Sequence, residues 1–444
     1  MVGTRDNWFR PADVCVAPDG SLIIADWYDP GVGGHRMGDL ERGRLFRVAP
    51  PQTPYAVPPV DFSTPETAAK ALTSPNLATR YLAYEALREF GPKAEPSLRA
   101  LLKSDNPRFQ ARALWLLAKL PGQADAICQL AISDENPDIR ITGLRIARDV
   151  TANPLSVVKQ LTRDPSPQVR RECAITLRFA DSPEASHLWA ELALQHQPED
   201  RWSLEALGIG AELHWDACLS TWMKAVGDNW TSPAGRQVVW RSRAQASPEL
   251  LATIIARADT PDSELPRLFR AFDFQPPEQT QLAVRKLIQA TAARDTGSDR
   301  SNFILAESLT RLTGRDIQTD AELRPALDTV LKTNAGSPLF VELVQKFSVA
   351  DQYPALLQIA VELPDSEIGV QAIQTLLGKQ QVPLLTKSLS GETPVAVATA
   401  QAMGNSGDGR IVSPLWRVME DSSTDTTLRR AAATAIGKTS NGAL

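Results

Sequence analysis

Asp164-Pro165-Ser166-Pro167-Gln168-Val169-Arg170-Arg171-Glu172-Cys173-Ala174-Ile175-Thr176-Leu177 is the stretch from which the fold can be read. Its Val169-Arg170 is matched by Ile139-Arg140, Phe109-Gln110 and Thr79-Arg80, each pair 30 residues from the next. Small residues keep the same frame at Ala83, Ala113, Gly143 and Cys173, and apolar ones at Leu87, Leu117, Ala147 and Leu177. A small residue once per repeat lets neighbouring helices approach closely, so these are inner positions of a stacked array. Pro107, Pro137 and Pro167 each open a helix, where the missing N–H costs nothing and the fixed φ is already helical. Asp105, Asp134 and Asp164 precede them as caps or turn formers.

Helix pairs of this length cannot bury their apolar faces alone and therefore stack. The expected fold class is mainly α, an α-solenoid of HEAT-like (ARM-type) helix pairs over 66–444. The register fades between Pro183 and Asn334, while the helix-turn-helix rhythm continues. It resurfaces at Val395–Met403 and Leu428–Ile436. The span from Thr67 to about Ser440 should be almost entirely helical. The last helix stops at Asn441–Leu444 without a polar capping repeat, so the array is expected to be truncated there.

Toward the N-terminus the pattern changes in kind. Prolines at 50, 51, 54, 58, 59 and 65 make 50–65 a stiff, extended linker. In 1–49, Asp13–Ala17 alternates as a strand, Asp19-Gly20 signals a tight hairpin, and Leu22–Ala25 and Gly43–Val48 supply two more strands. A three-stranded antiparallel β-meander buries too little to stand alone. Its missing partners are expected elsewhere, in a longer polypeptide, with partial packing on the first helix pair around Ala68–Leu87.

Composition limits the function. Of 444 residues, 43% are hydrophobic and only 6% aromatic, and the formal charge is −5, which argues against the broad basic surface that nucleic-acid binding needs. Cys15, Cys128, Cys173 and Cys218 never fall into C-x-x-C spacing and read as small buried hydrophobes. No apolar run is long enough to span a bilayer, and Met1–Arg10 does not read as a signal peptide. There is no P-loop, Rossmann glycine fingerprint or G-x-S-x-G elbow. His187, His196 and His214 have no metal-ligand spacing and read as solvated or capping residues.

Trp8-Phe9-Arg10-Pro11-Ala12-Asp13-Val14, Ala17-Pro18-Asp19-Gly20-Ser21-Leu22, Ala25-Asp26-Trp27-Tyr28-Asp29 and Gly33-Gly34-His35 resemble the last propeller blade of the large planctomycete and verrucomicrobial membrane-bound dehydrogenases. Asp200–Ile209, Pro233–Arg236, Val239–Ser242 and Pro266–Asp273 are similar to the same family, so the resemblance covers roughly Asp6 to Asp273. It implies a sugar-dehydrogenase-type β-propeller, then HEAT repeats, then a c-type cytochrome domain, in the periplasm or cell envelope. The family implies haem c, and a quinone or Ca2+, in the full-length protein. This chain lacks the earlier blades and any C-x-x-C-H, so no cofactor is expected in it and no catalysis by it alone.

Two segments carry candidate sites. The loop Asp26–Arg44 gathers Asp26, Asp29, His35, Asp39 and Arg44 among glycines, which suits hard-cation binding or substrate contact, or simply turn formation. Between Trp189 and Trp240 lie Trp202, Trp215, Trp222 and Trp230, interleaved with Arg201, Arg236, Arg241 and Arg243. Trp and Arg dominate interface hot spots, so Arg201, Trp202, Arg236, Trp240 and Arg241 form a candidate interface; the alternative is bulky filling where the register breaks down. Arg80, Arg140 and Arg170, with Asp134 and Asp164, are read as ties between repeats.

Three functions compete. The first is the binding and spacing region of a propeller-HEAT-cytochrome dehydrogenase in electron transfer, its partners being other domains of the same polypeptide. The second is an independent HEAT-repeat scaffold for protein partners. The third, a HEAT-type enzyme such as a lyase or DNA glycosylase, needs a catalytic carboxylate in a basic groove, which the acidic balance disfavours.

Overall fold

In the computed structural model, which describes residues 9–28, 43–151, 153–294, 297–314, 317 and 319–439, three strands come first. β1 (Pro11–Val16), β2 (Leu22–Asp26) and β3 (Arg44–Val48) pair as an antiparallel meander in that order. The hairpin signal has a physical cause: Gly20 takes a φ of 82°, open to glycine without strain, and Asp19 Oδ1 accepts from both the N–H and the hydroxyl of Ser21. Arg47 on β3 clamps this turn, donating to Asp19 Oδ2 at 2.7 Å and to Ser21 Oγ at 3.0 Å.

The register sets Val14 beside Ile24 and Ile24 beside Phe46, so Val14, Val16, Leu22, Ile24, Phe46 and Val48 share one face. Only its centre is covered: Ile24 is 7% exposed, against 58% for Val14 and 49% for Val16. The sheet meets the first helix pair through Asn76, whose Nδ2 donates to the Ala17 carbonyl at 2.8 Å.

The chain divides into two compact units, Met1–Asp228 and Asn229–Leu444. In the first, helices pair as α1 (Pro65–Ala71) with α2 (Leu77–Phe90), α3 (Glu95–Leu102) with α4 (Pro107–Ala118), and α5 (Ala124–Ile132) with α6 (Pro137–Val150). Then come α7 (Pro154–Leu161) with α8 (Pro167–Thr176), α9 (Pro183–Ala193) with α10 (Arg201–Gly210), and α11 (Trp215–Val226). The second members α2, α4, α6, α8 and α10 pack successively in one row, as expected of a HEAT-like solenoid.

The second unit continues the rhythm with α12 (Pro233–Arg241), α13 (Ser247–Ala256), α14 (Leu265–Phe272), α15 (Pro277–Arg294), α16 (Asp299–Arg311) and α17 (Arg324–Thr333). It ends with α18 (Pro338–Phe347), α19 (Tyr353–Glu362), α20 (Glu367–Gly378), α21 (Val382–Leu389), α22 (Thr393–Asn405), α23 (Val412–Glu420) and α24 (Thr426–Gly437); α18, α20, α22 and α24 pack in sequence. Among the described residues after Val48 there is no strand. The stop expected at Asn441–Leu444 lies outside the described residues.

The inner positions read from the register are buried: Ala83, Leu87, Ala113, Leu117, Ala147, Cys173 and Leu177 are each 2% exposed or less. Burying a leucine is worth roughly 2–3 kcal/mol, so this frame holds the row together. At Gly143 an added Cβ would overlap the Ile132 side chain, which explains why the smallest residue stands there.

Two expectations are corrected, and of the alternatives for Asp134 and Asp164 the turn former holds rather than the cap. The caps are Asn106 and Asn136, whose Oδ1 accepts from Arg108 N and Asp138 N, because a cap must stand directly before the first helical residue. Asp134 and Asp164 are turn formers that accept from Asn136 N and Ser166 N, while beside Asp105 this place is taken by Ser104 Oγ. Cys15 is exposed on β1, unlike the other three thiols. His196 is buried at 3% rather than solvated.

Candidate functional site

Where the strands end, Asp26 is buried and its carboxylate is closely held. Oδ1 accepts from Arg10 N at 2.7 Å and Tyr28 N at 3.1 Å, and Oδ2 from Arg44 Nε at 2.6 Å, with a second, ionic contact to Arg44 Nη2. Burial pushes this carboxyl up, yet the Arg10 amide and the Arg44 guanidinium outweigh it and hold it below its ordinary range. Arg44 lies 4.1 Å from the Tyr28 ring centroid and 5.2 Å from that of Phe46. Asp26 and Arg44 are thus brought together as a pair that fixes the end of β2 to β3. Asp29, His35 and Asp39 lie outside the described residues.

The tryptophan-rich segment separates into core and surface. Trp189 is fully buried, donates Nε1 to the Leu207 carbonyl at 2.9 Å, and packs edge-on against Trp215 with centroids 5.7 Å apart; Trp222 is also buried. Trp202 is 71% exposed on α10, beside Arg201, which reaches one turn along to Glu205.

In the second unit, Arg236 on α12 holds Glu264 with two hydrogen bonds of 2.8 and 2.7 Å and donates to the Thr231 carbonyl. Trp240, one turn on, donates Nε1 to the Arg267 carbonyl while the Arg267 guanidinium stacks on its ring, 3.8 Å from the centroid. Arg241, the last residue of α12, is half-buried. Arg236 and Trp240 therefore staple α12 to α14. Sequence reasoning missed Glu264 and Arg267; the available signal was a charge of opposite sign 28 residues after Arg236, like the spacings of 27 for Arg145–Glu172 and 29 for Arg171–Asp200.

The periodic arginines have one shared job. Nη1 of Arg80, Arg140 and Arg170 donates to carbonyls five and six residues back, closing the turn that leads into its own helix. Arg140 also grips Asp164 of the following repeat. The second unit carries a cleft of about 620 Å3 beside α17 and α19, floored by Leu331, Phe340 and Ile359. Arg324 crosses its rim, donating to Asp328 at 2.8 Å and Asp351 at 2.9 Å.

The HEAT-repeat family matches residues 65–140, from α1 to the first turn of α6. No curated protein matches. Similar solved structures include Kap121p bound to Nup53p, at 14% identity and a TM-score of 0.34, over 84% of this chain and 44% of that one. Kap121p bound to Ste12p is similar at 15% identity and a TM-score of 0.33, again over 84% and 44%. An engineered protein is matched at 18% identity and a TM-score of 0.23, over 84% of this chain and 98% of that one. The chain thus spans less than half the length of the Kap121p structures it matches.

Proposed function

We propose that this chain is a protein-interaction scaffold, a binding and spacing module built from HEAT-like helix pairs. The observation that carries the reading is uncovered apolar surface near the N-terminus. Val14, Val16, Leu22 and Phe46 are exposed on one face of the sheet, and Leu77 and Tyr81 are exposed one turn apart on α2. Apolar surface gathered in this way on a folded protein marks a contact surface. The test is affinity capture from native-host extract followed by reconstitution of the complex from purified components. At least one complex should form and should be lost in V14D or Y81D; no complex at micromolar concentration refutes the reading.

A second reading is favoured by the meander itself, whose β1 and β3 edges pair with no further strand among the described residues and whose Val14–Phe46 face is mostly uncovered. In that reading the chain belongs with a propeller-type dehydrogenase of the periplasm or cell envelope, and the helix pairs set the distance between a propeller and a haem domain. Haem c, and a quinone or Ca2+, would sit in those domains. Mixing the chain with purified propeller and cytochrome domains of such an enzyme should give a complex with a Soret band on gel filtration; independent elution of all three refutes it.

A further inference from the structure

We propose that Arg80, Arg108 and Arg112 form an anion site on the row of second helices, and that it takes the carboxylates of an acidic peptide segment in a protein partner. The proposal rests on the scaffold reading and names the chemistry of one partner.

Most other cations of this row are neutralised across a repeat, Arg170 apart, whose Nη1 rests on carbonyls of its own turn. Arg140 pairs with Asp164, Arg145 and Arg148 with Glu172, Arg171 with Asp200, and Lys119 with Asp149. Arg80, Arg108 and Arg112, in the first two repeats, break the pattern. The place of Asp134 and Asp164 is taken 30 residues earlier by Ser104, which carries no charge to meet Arg80. Arg108 and Arg112 stand in the frame that holds Asp138 and Thr142 one repeat later, and Gln168 and Glu172 after that.

The geometry draws these groups together. Arg112 Nη1 donates to the Leu72 carbonyl at 2.8 Å, and Arg80 Nη1 to the Ser74 and Pro75 carbonyls at 3.3 and 3.2 Å, so both guanidiniums rest on one loop between α1 and α2. Arg108 is exposed one turn before Arg112 on the same face of α4. Among the described residues, none of the three pairs with a carboxylate. Burial, then the charges of Arg80 and Arg108, lowers the proton affinity of Arg112, the direction expected where negative charge is lacking. Nearby planar groups add contact area: Phe109 under Arg112, Trp115 on α4 and exposed Tyr81 on α2.

A peptide fits better than a nucleic acid. Asp105 and Asp138 are exposed at the margins of the patch and the chain carries a net charge of −5, so a continuous polyphosphate would be repelled on leaving it. A peptide with a few neighbouring carboxylates needs the local patch alone.

The test is fluorescence anisotropy of a fluorescein-labelled octa-glutamate peptide with the full chain. Saturable binding is expected, weaker at 200 mM than at 20 mM salt, as for exposed charges that salt screens. It should weaken roughly tenfold in R108Q and further in R108Q/R112Q, as for loss of charge-assisted hydrogen bonds, and stay unchanged in R163Q, whose partner is Glu191. Arg108 is exposed, so R108Q decides the matter even where R112Q disturbs the Leu72 loop. No binding, equal binding by R108Q, or tighter binding of an oligothymidylate of the same length overturns the proposal. A captured partner complex that survives R108Q also overturns it, while leaving the scaffold reading standing.

Discussion

Arg140 and Asp164 are joined by two parallel hydrogen bonds, 2.7 and 2.8 Å long, across the junction of consecutive helix pairs. Asp164 is 7% exposed, so Arg140→Ala leaves a buried carboxylate without its cation and should cost about 3–5 kcal/mol in urea unfolding at pH 7. Asp164→Asn keeps the shape and loses the charge, at about 1–3 kcal/mol. Burial pushes the Asp164 carboxyl up, but the Arg140 hydrogen bonds and the Ser166 amide bring the net shift below the ordinary value. A carboxyl lowered on folding stabilises above its unfolded pKa of about 3.9 and loses that contribution as pH falls through the folded value. The wild type should therefore lose more stability than Asp164→Asn as pH falls from about 5 to about 2; parallel curves would refute the pairing.

The junction also shows how far the sequence could be read. The 30-residue frame was legible because its markers lie close together within each repeat: a proline at the first helical turn, an arginine that closes that turn, and a small residue where rows meet. After Pro183 the spacing varies. Helices open at Pro183, Arg201, Trp215 and Pro233, and α15 runs for 18 residues, so no fixed frame aligns them although each still alternates in its row. The staples were harder to see. Arg236 and Trp240 stand out in the sequence, but whether they face a partner or α14 depends on Glu264 and Arg267, which composition does not single out. The patch at Arg80, Arg108 and Arg112 was invisible for a related reason, since what distinguishes it is missing carboxylates, such as the one that Ser104 does not supply to Arg80.

Gly210 tests the close approach of α8 and α10. A Cβ there would overlap the Ala174 carbonyl group, a backbone atom that cannot rotate away. Gly210→Ala should destabilise by about 1–3 kcal/mol through overpacking, despite the better helix propensity of alanine. Gly378→Ala, with nothing within 4 Å of the added carbon, should be neutral or slightly stabilising. Thermal melts of the two variants check this, and equal behaviour would mean that the rows tolerate separation.

The thiols should divide one against three. Cys15 is exposed, whereas Cys128, Cys173 and Cys218 are buried. Burial pushes the Cys128 and Cys218 thiols up to about 11, and Cys173 higher still. At pH 8 only about a thousandth of a thiol with such a pKa is thiolate, the reactive form. Ellman's reagent should titrate one thiol promptly in the native protein and all four in guanidinium; prompt reaction of two or more would show that the helix pairs open readily.

The last prediction concerns Asn76, which serves two masters. Its Oδ1 caps α2 by accepting from Thr79 N at 3.1 Å, while its Nδ2 tethers the sheet through the Ala17 carbonyl at 2.8 Å. Asn76→Asp keeps an acceptor for the cap and removes the donor; Asn76→Ala removes both, at about 1 kcal/mol for the cap. Local stability follows buried contacts, and β1 is exposed along its whole length while Leu114, Leu117, Leu144 and Val169 are 1% exposed or less. In the wild type, amides from Asp13 to Val48 should therefore exchange hydrogen much faster than those from Leu114 to Leu177. Asn76→Asp should speed exchange in the strands and spare Thr79, and Asn76→Ala should speed both. If strand protection in the wild type equals that of the helices, or if Asn76→Asp leaves it unchanged, the sheet is held by contacts other than this tether.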